Sequence, residues 1–120
     1  MQPCVLLVDD SNVVLMLATA FLKGHYDVVT AHSGDEALAK AAAVQPQVIL
    51  TDFNMPGRDG VEVARDLRAN ARTRHIPVVI MTTESELARI PRDLDHVLKP
   101  FDAESLLETV AAHLRGPGAH

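Results

Sequence analysis

Apolar residues fall into two rhythms along this chain. Val5 to Val8 is a short unbroken apolar run, the pattern of a strand buried on both faces of a parallel sheet, and Val48 to Thr51 and Val78 to Met81 predict two further strands. Asp27 to Ala31, around Val28 and Val29, and Asp95 to Leu98 predict two more strands. Between the runs the spacing turns helical. Val14, Leu15, Ala18, Phe21 and Leu22 predict a first helix from near Val13, capped by Asp10 or Ser11 and stopped at Gly24. Ser33 and Glu36 predict a capping box opening an Ala-rich helix that ends before Pro46. Asp59 predicts the cap of a third helix, with Val61, Ala64 and Leu67 turned inward. Asp102 predicts the cap of a last helix, whose buried stripe is Ala103, Leu106, Leu107, Val110, Ala111 and Leu114, and which Gly116 and Pro117 end. Strands alternating with helices imply a parallel sheet with helices on both faces, a doubly wound α/β fold.

The 120 residues fit one domain, with a core from about residue 4 to 114 and a short tail over 115–120. Apolar residues make up 48%, enough for one core, but aromatics are only 3%, which leaves no stacking platform for bases. The formal charge of −5 argues against direct nucleic acid binding. Cys4 is the only cysteine, so no intrachain disulfide forms, and it reads as a small core residue. No signal peptide pattern and no membrane-length apolar run is present. The expectation is a soluble cytoplasmic protein. The six His are scattered, with no pair at helical spacing, which disfavours a His-ligated metal site. Arg65, Arg68, Arg72 and Arg74 read as a solvated face near the end of the third helix, and Met55 as a packing residue.

The chemistry gathers at the strand ends. Asp9 and Asp10 follow the first strand, Asp52 the third, Thr82 the fourth and Lys99 the fifth. Parallel strands bring these ends to one sheet edge, where such folds bind ligands. Two like charges about 4 Å apart repel by roughly 4 kcal/mol at an effective dielectric near 20. Lys99 offsets part of that, and a divalent cation is the natural remainder, with carboxylates and water suiting Mg²⁺. A carboxylate so placed can also act as a nucleophile toward phosphorus.

The motifs VLLVDDSN, VILTDFNMPGRDG, VVIMTTE and VLKPF, in order and over Val5 to Leu114, resemble the response-regulator receiver domain, in particular the single-domain chemotaxis type. The resemblance implies a flavodoxin-like five-stranded sheet of order 2-1-3-4-5. It implies that Asp52 accepts a phosphoryl group from a histidine kinase or a histidine phosphotransfer protein. Asp10, Asp52 and the Asn54 backbone carbonyl would hold Mg²⁺, with Asp9 acting through water. Thr82 would follow the phosphoryl group and Lys99 would pair with it. A cis Lys99–Pro100 bond is implied too. Such a protein catalyses its own phosphorylation and dephosphorylation but is no turnover enzyme on free substrates. Its output is a contact with a downstream protein.

Three departures qualify the resemblance. Only sixteen residues separate Thr82 from Lys99, and Pro91 interrupts them, so the fourth helix of the family is expected to be lost or cut to one or two turns. His96 stands where the family has an aromatic switch residue, and reads either as a surface residue or as one that swings in behind Thr82. Thr83, after the switch Thr, is bulkier than the family's usual small residue and narrows access; Asn54 and Glu84 take the positions that tune hydrolysis. A pseudo-receiver that binds partners without switching is the alternative. A phosphatase using a strand-end Asp is disfavoured, because Asn12 and Asn54 stand two residues after Asp10 and Asp52, where that class places a second Asp.

Overall fold

The computed structural model describes residues 2–115. Its five parallel strands are β1 (Cys4–Val8), β2 (Asp27–Ala31), β3 (Val48–Asp52), β4 (Val78–Thr82) and β5 (Asp95–Leu98), in the order β2-β1-β3-β4-β5. The helices are α1 (Asn12–Leu22), α2 (Gly34–Val44), α3 (Gly60–Ala69) and α4 (Ala103–Arg115), with a 3-10 helix at Glu84–Arg89. This is the doubly wound sheet that the alternating pattern predicts, in the flavodoxin-like order that the resemblance implies. The expected helix stop at Gly116 and Pro117, and the tail beyond it, lie outside the described residues.

Alternation along β1 divides the interior in two. Leu6 and Val8 face α2 and α3, in a core with Ala37, Ala41, Ile49, Val63, Leu67 and Ile80. Val5 and Leu7 face α1 and α4, in a core with Leu15, Leu22, Leu50, Met81, Leu106 and Val110. β1, β3 and β4 are therefore buried on both faces, which is why β1 reads as an unbroken apolar run and β3 and β4 each open on one. Val63 joins the inward face of α3 beside Ala64 and Leu67, while Val61 is only partly covered. Met55 packs in the α2–α3 core, as its sequence position suggests. Cys4 is only partly buried, because it opens the strand at the sheet's rim.

The helix starts show which caps formed. Ser11 caps α1, its hydroxyl accepting the Val14 N–H at 3.3 Å. Asp59 and Glu62 complete a capping box on α3, at 2.9 and 3.1 Å. The Asp102 carboxylate accepts the Ser105 N–H at 2.8 Å, and that bond holds its pKa below the usual carboxylate range. The expected box at Ser33 is only half made. Ser33 accepts the Glu36 N–H at 3.1 Å, but the Glu36 carboxylate reaches one residue further back, to the His32 N–H at 2.6 Å.

Where the family carries its fourth helix, the chain makes only the six-residue 3-10 helix, about two turns. Pro91 is the physical reason: Ile90 before it is extended, at φ −89° and ψ 121°, as a residue preceding proline prefers. No residue inside the 3-10 helix is buried; Ile90 and Leu94 beyond it plug into the α2–α3 core instead. The turn before β5 is braced by charge. Arg65 and Arg68 reach Asp93 at 2.6 and 2.7 Å. These bonds, Arg65 first, hold the Asp93 carboxyl well below its usual range. Two of the four arginines read as a solvated face are thus paired across the fold.

Candidate functional site

β1, β3, β4 and β5 deliver their C-terminal residues to one edge, and that register builds the site. Asp52 ends β3 opposite Met81, and Thr82 ends β4 opposite Leu98. Asp9 and Asp10 follow β1 directly, and Lys99 follows β5. One carboxylate oxygen each from Asp9, Asp10 and Asp52 lies within 4.8 Å of the other two. The Lys99 Nζ donates to Asp52 Oδ1 at 2.8 Å and to Asp9 Oδ2 at 3.0 Å. The Lys99–Pro100 bond is cis.

Burial differs among these groups. Asp9 is 1% exposed and has both oxygens engaged, since its Oδ1 accepts the Ser11 N–H at 2.9 Å. Asp52 is 7% exposed, and Asp10 lies open to solvent. Burial raises the Asp52 pKa; Asp9 and Asp10 add to the rise, and Lys99 opposes it without cancelling it. Burial works against the Lys99 ammonium, yet its bonds to Asp52 and Asp9 outweigh that and raise its pKa.

Among the described residues, three carboxylates face one ammonium here, an excess of two acidic groups. All the donors are hard oxygens, one of them exposed, and so the set fits a divalent cation such as Mg²⁺ better than a soft metal.

The loop after Asp52 is held close to the site. Phe53 donates its N–H to the Met81 carbonyl at 2.9 Å, and Gly60 donates to the Phe53 carbonyl at 2.9 Å. Gly60 packs against the backbone so tightly that a Cβ there would stand 2.3 Å from the Asp52 carbonyl oxygen. Gly57 turns the loop at φ +81°.

The response regulator receiver domain model matches residues 5–111. The chain belongs to the response regulator receiver family. The receiver is 36% identical over 118 residues to Protein PilH of Pseudomonas aeruginosa, covering 93% of this chain and 98% of PilH. It is 31% identical to the DNA-binding response regulator MtrA of Mycolicibacterium smegmatis, covering 96% of this chain but spanning only 52% of MtrA. Among solved structures it is similar to the chemotaxis response regulator CheY4 of Vibrio cholerae, with a TM-score of 0.84 and 31% identity, covering 94% and 99% of the two chains. Receivers of this kind are modules of two-component and chemotaxis signalling, not metabolic enzymes.

Other expected residues of the receiver fall as follows. Asn54 is exposed in the loop after β3, and Glu84 is exposed at the start of the 3-10 helix. Thr83 is partly buried and lines an apolar hollow of about 270 Å³ beside Lys99, with Val14, Leu17 and Phe101. His96 points to solvent from β5, the surface alternative of its two readings. Thr82 is fully buried. Its hydroxyl donates to Glu86 Oε1 at 3.1 Å, a partner the sequence reading missed. Ser11 and Gly60 were missed as site residues too. The T-x-x-E spacing from Thr83 to Glu86 is that of a capping box, and Glu86 does accept the Thr83 N–H at 3.3 Å, but that pattern carries no sign of the second bond, from Thr82.

Proposed function

We propose that this receiver is a phosphorylation-dependent signalling switch that accepts a phosphoryl group on Asp52 from a histidine kinase or a histidine phosphotransfer protein. The observation that carries the reading is the Asp52 carboxylate itself: buried, bonded to Lys99, and within 4.8 Å of the oxygens of Asp9 and Asp10. An Asp52 oxygen attacks phosphorus; the bond from phosphorus to the donor's imidazole nitrogen breaks, and that nitrogen keeps the electron pair. Asp10, Asp52 and the Asn54 carbonyl would hold Mg²⁺, with Asp9 one water away; the cation would offset charge on the phosphoryl oxygens. Lys99, which bonds Asp9 and Asp52, would pair with a phosphoryl oxygen as well. The Thr82 hydroxyl would donate to a phosphoryl oxygen, and Asn54 and Glu84 would set how readily water reaches it. The added charge, about −1.5 to −2, then biases contacts with a downstream protein partner.

Mg²⁺ and a small phosphodonor should add one phosphoryl mass to the protein, and Asp52→Asn should abolish the gain. No gain in wild type, or an equal gain in Asp52→Asn, rejects the proposal. The reduced helix between β4 and β5 favours a second reading, a pseudo-receiver interaction module. Amide spectra that stay unchanged on adding Mg²⁺ and beryllofluoride would favour it.

A further inference from the structure

Glu86 is the third residue of the 3-10 helix and is partly buried. Its Oε1 accepts two bonds, from the Thr82 hydroxyl at 3.1 Å and from the Thr83 N–H at 3.3 Å. One carboxylate thus ties the end of β4 to the start of the 3-10 helix. Thr82 is fully buried, so water offers its hydroxyl little alternative. A hydroxyl has one proton to donate. It cannot give that proton to Glu86 and to a phosphoryl oxygen on Asp52 at once. The position where the family has an aromatic relay holds His96, which faces solvent and has no part in this arrangement.

We infer that Glu86 is a positioning residue that competes with the phosphoryl group for the Thr82 proton, and that its release carries the state of Asp52 into the 3-10 helix. The inference rests on Asp52 being the phosphoacceptor. When Thr82 turns to the phosphoryl group, Glu86 loses its side-chain donor and keeps only the Thr83 N–H. The first turn is then held by that bond and by the Glu86 N–H to Thr83 carbonyl bond at 3.1 Å. No residue of the 3-10 helix is buried, and so little packing resists its shift.

The test is a titration of the isotope-labelled full chain with beryllofluoride and Mg²⁺, read by amide spectra. The variants are Glu86→Ala, Glu86→Gln, Thr82→Val and Thr82→Val with Glu86→Ala. In wild type the Thr83 and Glu86 amides shift on binding. Glu86→Ala binds beryllofluoride about tenfold tighter, since a hydrogen bond to a charged group no longer has to be broken first. Glu86→Gln, which keeps the shape and a weaker acceptor, falls between the two and decides the matter if the Ala variant folds poorly. With valine at position 82 the Glu86 substitution changes affinity by less than twofold. Unchanged or weaker binding by both Glu86 variants overturns the inference, as does a gain that persists in full without the Thr82 hydroxyl. Such a persistent gain would report simple relief of charge repulsion. Failure of wild type to bind beryllofluoride overturns the phosphoacceptor reading and this inference with it. Binding without the Thr82-dependent effect overturns this inference alone.

Discussion

Replacing Lys99 with methionine keeps the stem and removes the one cation that the described residues bring to the acidic pocket. The ammonium lies 2.8 Å from Asp52 and 3.0 Å from Asp9. At an effective dielectric near 20 each attraction is on the order of 6 kcal/mol before the cost of burying the ammonium is set against it. Removing one partner of a buried pair costs about 3–5 kcal/mol net. The Lys99 side chain is 21% exposed, so water screens part of the loss, and the low end, about 3 kcal/mol, is the expectation. For a chain of this length that lowers the midpoint of thermal unfolding by about 12 °C. Urea unfolding at pH 7 without divalent cations measures it directly. The pH dependence follows from the two raised pKa values. The stability due to Lys99 is complete below the ordinary lysine value of 10.5 and is lost as pH rises through the raised one. Below neutrality the gap narrows again, because Asp52, whose pKa is also raised, takes up its proton early and no longer needs a counter-charge. Adding Mg²⁺ should narrow the gap at pH 7, since the variant pocket holds three uncompensated carboxylates instead of two. A loss below 1 kcal/mol, or a gap indifferent to both Mg²⁺ and acid, would refute the electrostatic account of the site.

Two further substitutions probe the frame around it. Gly60→Ala forces a Cβ to 2.3 Å from the Asp52 carbonyl oxygen, so the backbone must move; urea unfolding should show a loss of about 3 kcal/mol, and phosphoryl labelling should fall with it. Gly57→Ala, at positive φ but in open space, should cost only about 1 kcal/mol, and equal costs would show that the Gly60 contact is not the cause. Thr83→Ala should widen the approach beside Lys99 and speed labelling by small phosphodonors severalfold in a time course; equal rates would remove Thr83 as a gate.

The sheet was legible because its central strands are buried on both faces, and so their apolar runs carry no competing helical period. The Asp9, Asp10, Asp52 and Lys99 cluster was legible because parallel topology alone brings strand ends together. What escaped the sequence depends on side-chain direction. Glu86 matters only because a 3-10 turn swings its carboxylate back to Thr82, four positions earlier. The Ser33 box failed by one residue because the His32 N–H lies within reach of Glu36. The arginines of α3 looked solvated because their partner, Asp93, is 25 and 28 positions away along the chain.

The two-sided interior has a consequence of its own. Ile90 and Leu94, after the 3-10 helix, belong to the layer with α2 and α3, whereas Phe101, just after Lys99, belongs to the layer with α1 and α4. The sheet stands between them, so the segments that flank the strand-end site at β4 and at β5 are anchored in different layers. Substitutions in one layer need no compensation in the other. Either layer can be repacked while the rim between them stays under constraint from two sides.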